Sequence, residues 1–132
     1  MKAILITLVT LIVGLMVGCG DTTSNPSEGV FGTKWGTEGT GEGQFSYPSS
    51  IAVAPDGSVY VLDSNNHQVQ RFSSEGVFVG KWGQMGTDEG QFNESYSLAA
   101  ASDGSIYIAD TRNHRIQKFT SQGVFVEAWG IE

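Results

Sequence analysis

Two sets of side chains in this sequence are of types that can do chemistry. Asp63, Asn66 and His67 form the first, and Asp110, Asn113 and His114 recur 47 residues later as the second. A carboxylate beside an imidazole can ligate a metal or trade a proton. Asp and Asn are equally the residues that close tight turns through their own side chains. Recurrence in one register decides between these readings, because a role repeated in every structural unit is what a repeat architecture produces. A reaction centre needs non-repeated partners instead. The chain offers no nucleophile–base pair and only two His, both repeated. The six residues are therefore expected to hold turns, with no catalytic residue, no metal ligand and no cofactor.

The elements that must position them follow from the repeat itself. Trp35, Trp82 and Trp129 share the 47-residue spacing, and sliding 37–83 onto 84–130 leaves 25 of 47 positions identical without a gap. Gly29-Val30-Phe31 and Lys34-Trp35-Gly36 echo the end of each copy. Within copy one, Val- and aromatic-rich runs are separated by polar turns. They predict strands over 50–54, 58–62, 67–72 and 77–82, with copy two repeating them at 97–101, 105–109, 114–119 and 124–129. Four short antiparallel strands per unit describe a propeller blade. The consecutive Val77, Phe78 and Val79 suggest sheets covered on both faces.

Composition agrees. Eighteen Gly, seven Phe, four Tyr and three Trp in 132 residues describe a turn-rich β domain, and 16% charged residues do not describe a disordered chain. A formal charge of -7 weighs against nucleic acid as a partner, which is gripped by clustered Lys and Arg. The Gly- and Glu-rich linkers 37–44 and 84–91 lack the Lys of a phosphate loop.

The N-terminus reads as an address. Lys2 precedes an apolar run, Ala3–Val17, that is short of the about 20 residues of a membrane span. It fits a secretory signal peptide over 1–18. The sole cysteine, Cys19, cannot form an internal disulfide. Leu15-Met16-Val17-Gly18-Cys19 resembles the lipobox of bacterial lipoproteins, although Met16 stands where Leu is usual. The resemblance implies cleavage before Cys19, a lipid on it, and export to the cell envelope. An ordinary cleaved signal and an uncleaved anchor are the competing readings. Residues 19–29 then serve as lipidated Cys and flexible tether, and 30–132 as the domain.

The pattern GEGQF, YP, IAV, DGSVYVLD, NNHQVQRF and GVFVGKWG, with NHRIQKF in copy two, resembles the NHL-repeat β-propellers. That resemblance implies an all-β, six-bladed TolB-like architecture, of which this chain holds blades 50–82 and 97–129 and an extra strand 30–35 as an open arc. It implies other blades, from missing sequence or from an oligomer. The two-blade content and the ending at a repeat boundary are read as a fragment of a longer propeller. Departures are Ser95 in place of a Pro48 counterpart, and Ser50 and Ser97 where the family usually has Gly. In such propellers one rim is built from the linkers and the loops between second and third strands. Its non-repeated residues, Tyr47, Asn65, Tyr96 and Arg112, are the candidate binding rim. The function expected is a lipid-anchored scaffold binding a protein or glycan. Two further readings come with the family: a fragment of a metal-dependent lyase or hydrolase, and RNA binding through a basic rim, which the charge disfavours.

Overall fold

The computed structural model describes residues 32–130, so the expected signal peptide over 1–18, Cys19 and the expected tether lie outside the described residues. All the described strands belong to the unit that begins at Lys34. Strands β1 (Thr37–Glu38) and β2 (Gln44–Phe45) pair in parallel inside the first linker. Strands β3 (Pro48–Val53), β4 (Val59–Asp63), β5 (Gln68–Phe72) and β6 (Phe78–Trp82) form one antiparallel sheet in that order. Strands β7 (Ser97–Ala100), β8 (Ile106–Asp110), β9 (Arg115–Phe119) and β10 (Phe125–Gly130) form the second. A 3-10 turn, Thr111–Asn113, joins β8 to β9. Among the described residues no helix is long and apolar enough to cross a membrane.

The sequence signals locate all eight blade strands within two residues at each end. The extra strand over 30–35 is corrected: none of Gly32–Gly36 is a strand, and Val30 and Phe31 lie outside the described residues. A fourth strand forms by pairing with the third strand of its own blade, and among the described residues Gly32–Gly36 have no such strand beside them. The three consecutive apolar residues also have a different cause from the expected one. The register of β5 and β6 shifts between Arg71 and Phe72, so Val79 sits in a bulge and points outward, exposed. Val126 repeats the feature in β10. A bulge places two residues opposite one and breaks the alternation of faces.

The core lies between the blades. Cross-strand partners share a face, so Ala52, Tyr60, Leu62, Val69 and Trp82 face one way on the first blade. Leu98, Ala100, Ile106, Ile108, Phe119 and Phe125 face the opposite way on the second. Together with Ala54 and Phe92 these residues make up the buried cluster. Burying a large apolar side chain is worth about 1.5–3 kcal/mol, so this shared cluster ties the blades together, while Phe72 is buried on the first blade's other face against Trp35, Phe45 and Phe78. Three polar contacts fix the register between blades. The Tyr60 hydroxyl donates to the Ser121 carbonyl at 2.9 Å, the Leu98 N–H donates to Ser50 Oγ at 3.1 Å, and Ser64 Oγ donates to the Ser95 carbonyl. Ser50, the departure from the family's Gly, is thus a contact between sheets.

Trp82 closes the interface. Its ring lies 5.9 Å from Phe119 and 6.0 Å from Tyr60, and it covers Gly123. A Cβ on Gly123 would come within 2.5 Å of the indole, and φ there is +84°, so this turn accepts only Gly without strain. Trp35 repeats the arrangement over Gly76, 4.4 Å from the Phe72 ring, although it belongs to no strand.

The two turns opening β4 and β8 carry a testable electrostatic signature. Asp56 accepts the Ser58 N–H at 2.9 Å and Asp103 accepts the Ser105 N–H at 2.8 Å. These backbone donors, then the Ser hydroxyls, hold both carboxyls below the ordinary carboxylate value. A depressed value in the folded state means the unfolded chain binds more protons on acidification. The contribution is present above the ordinary carboxylate range and is lost as pH falls through the folded values. An Asp56→Asn, Asp103→Asn double variant keeps the turn acceptors and removes the titration. Its urea midpoint should fall less steeply between pH 5 and pH 2 than that of the parent; equal slopes would show that the turns contribute nothing to acid sensitivity.

Candidate functional site

The first of the two repeated polar sets is consumed by the fold. Asp63 is fully buried and accepts the Tyr47 N–H at 2.8 Å, the Ser46 N–H at 2.9 Å and the Asn66 amide at 2.7 Å. Asn66 also donates to the Gly39 carbonyl at 2.9 Å, which pins the linker to the turn. Asp110 is equally buried. It accepts the Asn93 N–H at 2.8 Å, the Ser95 hydroxyl at 3.1 Å and the Asn113 amide at 2.8 Å. Its Oδ2 further accepts Arg115 Nε at 2.9 Å and Gln117 Nε2 at 3.0 Å. Asn113 donates to the Gly86 carbonyl at 2.9 Å. With their lone pairs directed at N–H and O–H donors, neither carboxylate is arranged as a ligand. Among the described residues no three of His, Cys, Asp and Glu come together.

The histidines serve through their backbone. His67 and His114 have φ of +50° and +53° and end the turn in the left-handed conformation. His67 N–H donates to the Ser64 carbonyl and His114 N–H to the Thr111 carbonyl. The imidazoles take no part in a shared cluster.

Sequence reasoning passed over Gln70 and Gln117. Both are fully buried, at the centre of β5 and β9. Gln70 accepts the Gly43 N–H at 2.9 Å and donates to the Gln44 carbonyl at 2.6 Å. Gln117 does the same with Gly90 and the Gln91 carbonyl, at 2.9 and 2.7 Å. Each is a two-point clamp on the linker before its blade. A Gln recurring at the same place between two apolar residues, Val69 and Phe72 in one copy and Ile116 and Phe119 in the other, was the available signal.

What remains free is one rim. Tyr47, Asn65 and Tyr96 are exposed, and Arg112, on the 3-10 turn, is exposed as well. Glu94, not singled out from the sequence, joins them: its Oε2 accepts Arg112 Nε at 2.7 Å and the Tyr96 hydroxyl at 3.3 Å. Glu94 stands at the position of Tyr47 in copy one and adopts φ of +46°, which a side chain tolerates only where its surroundings hold it. Arg112 N–H donates to the Asn93 carbonyl at 3.1 Å, fixing the guanidinium beside that strained residue. Desolvation, and next the Glu94 carboxylate, push the Tyr96 hydroxyl above the ordinary phenol value. On the same rim Asn65 reaches Ser46 Oγ at 3.4 Å. The arrangement offers two exposed aromatic rings beside a guanidinium and a carboxylate. It can bind by stacking, cation–π contact and hydrogen bonding, and it holds no general base aimed at a nucleophile.

Comparison with known proteins gives the same architecture. The NHL repeat model matches residues 45–72 and 97–119. The B-box type zinc finger protein ncl-1 of Caenorhabditis elegans is 44% identical over 43 residues, which is 33% of this chain and 5% of that protein. Among solved structures, a Bacteroides fragilis protein described as exported superposes with a TM-score of 0.59 at 18% identity, over 72% of this chain and 27% of that one. Virginiamycin B lyase from Staphylococcus aureus superposes with a TM-score of 0.52 at 16% identity, over 65% of this chain and 27% of that one. At such identities these structures establish fold alone. The chain spans about a quarter of each structure and a far smaller part of the relative. With the sheet order and the interblade core, these matches make residues 45–72 and 97–119 two NHL repeats, folded as adjacent blades of β-propeller type.

Proposed function

We propose that this chain is a binding module of the cell envelope, held to the membrane by a lipid on Cys19 and presenting its propeller rim to a protein or glycan. The rim carries the reading. The repeated Asp63, Asn66, Gln70, Asp110, Asn113 and Gln117 side chains are spent on holding loops, whereas the non-repeated Tyr47, Glu94, Tyr96 and Arg112 lie on one exposed rim. Rigid aromatic side chains flanked by a charged pair are the composition of recognition surfaces, and repeat scaffolds serve as display platforms for them. Tyr rings also suit the C–H faces of sugars. The lyase resemblance is one of fold, and the rim holds no acid–base pair that would favour an enzymatic reading.

The test has two arms. Cys19→Ala should move the chain from the membrane fraction to the soluble fraction. With the full chain in detergent, a glycan array and crosslinking to envelope proteins should give a partner whose binding falls about tenfold or more in Arg112→Glu, as loss of a central charged contact does. A partner bound equally well by Arg112→Glu and Tyr96→Ala variants would place recognition elsewhere.

A further inference from the structure

The interface between the two blades is a template that each free face can repeat. On the first blade, the face turned to its neighbour buries Val69 completely; the same position on the second blade is Ile116, 40% exposed. On the second blade, Leu98 is 7% exposed against its neighbour; the same position on the first blade is Ile51, 63% exposed. Trp129 and Val53 are exposed in the same way. The molecule thus carries one half of its own internal interface at each end, and the halves are complementary in the way Val69 and Trp82 complement Leu98 and Gly123. The polar contacts have counterparts too. Tyr107 and Ser97 occupy the positions of Tyr60 and Ser50, and among the described residues neither hydroxyl makes a hydrogen bond with protein.

Beside Trp129 lies a groove of about 480 Å³ lined by Arg112, His114, Arg115, Trp129 and Gly130. On the first blade the corresponding place, at His67 and Gly83, is filled by the Phe92 ring of the following linker. The residue equivalent to Phe92 at the other end of the molecule is Phe45, on a linker that carries Glu38 and Glu42. Arg112 and Arg115 in the groove are already paired with Glu94 and Asp110, so what matches it to that linker is the ring position that Phe92 fills on the first blade.

One obstacle is built in. Docking in this manner sets Trp129 over Gly76, and Trp35 of the same chain already covers Gly76. Trp35 is attached to no strand, so it can leave without breaking a sheet.

We propose that copies of this chain associate head to tail, the second blade of one copy docking on the first blade of the next, with Trp129 replacing Trp35 over Gly76. The contact is heterologous, each copy using a different surface. The groove shares Arg112 with the rim, but Ile51, Ile116 and Trp35 lie off the rim, so variants there test the association apart from any rim partner.

Sedimentation velocity of the full chain in density-matched detergent tests this. The parent should form dimers and larger species as concentration rises. Ile116→Asp and Ile51→Glu change exposed positions on opposite faces, and each alone should remain monomeric. Mixed in equal amounts they should give a dimer and nothing larger, since each keeps one intact face. Trp35→Ala should associate about tenfold more tightly, because an internal competitor is gone and the docking-competent fraction rises. A parent that stays monomeric, a single variant that associates like the parent, a mixture that stays monomeric, or a Trp35→Ala variant that associates less tightly overturns the proposal. Parallel urea unfolding of each variant shows that a loss of association is not a loss of fold.

Discussion

Asp110→Ala should be the most damaging single substitution among the repeated polar residues, lowering stability by about 3–5 kcal/mol, as loss of one partner of a buried ion pair does. Five donors converge on this carboxylate: the Asn93 N–H, the Ser95 hydroxyl, the Asn113 and Gln117 amides, and the Arg115 guanidinium. Alanine leaves them facing a cavity, Arg115 with its charge only partly exposed. Asparagine is little better, because its amide would turn N–H groups towards donors on the Oδ2 side. Asp63→Ala should cost less, because Asp63 receives only the Ser46 and Tyr47 N–H groups and Asn66. The position equivalent to Arg115 beside it is the neutral Gln68. Urea unfolding of the two variants measures the difference directly. If Asp110→Ala unfolds like the parent, the buried cluster is not what secures the linker to the blade, and the structural role of the repeated polar set falls with it.

That difference between Asp63 and Asp110 marks where the sequence stops being legible. The 47-residue period, the strands and the turns are local, written in alternation and in turn residues, and they place the blades without tertiary information. The structural role of Asp and Asn is legible too, because it rests on recurrence. The number of donors on each carboxylate is not, since it depends on whether position 68 or 115 reaches across the loop. Gln70 and Gln117 are visible as letters, but their clamps appear only when the linker lies along the blade. Glu94 is hidden for a related reason: a left-handed residue that is not Gly has no sequence signature, and its partners Tyr96 and Arg112 come from different loops. The segment before Trp35 misleads because its letters match a fourth strand, whereas a strand needs an edge to pair with.

The same dependence on neighbours predicts that three tryptophans at one repeat position differ sharply in what they hold together. Trp82→Ala should cost about 3–5 kcal/mol, the range for truncating a large aromatic in a core. Its ring contacts Tyr60, Phe119 and the bare backbone of Gly123, and so joins the sheets. The indole Nε1 is buried without a partner, so truncation sacrifices no hydrogen bond and the loss is one of packing. Trp35→Ala should cost less, because the ring covers Gly76 and Phe72 of one blade only. Trp129 only stacks on Tyr107, at 6.2 Å, and is half exposed. Its truncation in the isolated monomer should cost about 0.5–1.5 kcal/mol, the worth of an aromatic pair. Thermal melts at low protein concentration should therefore rank the variants Trp82, Trp35, Trp129 in decreasing damage. Repeating the melts at high concentration separates two states of the second blade's open face. If that face stays free, Trp129→Ala remains mild. If it is covered by another copy, Trp129 takes on the role of Trp82, and the cost of losing it rises with concentration while that of Trp35 falls.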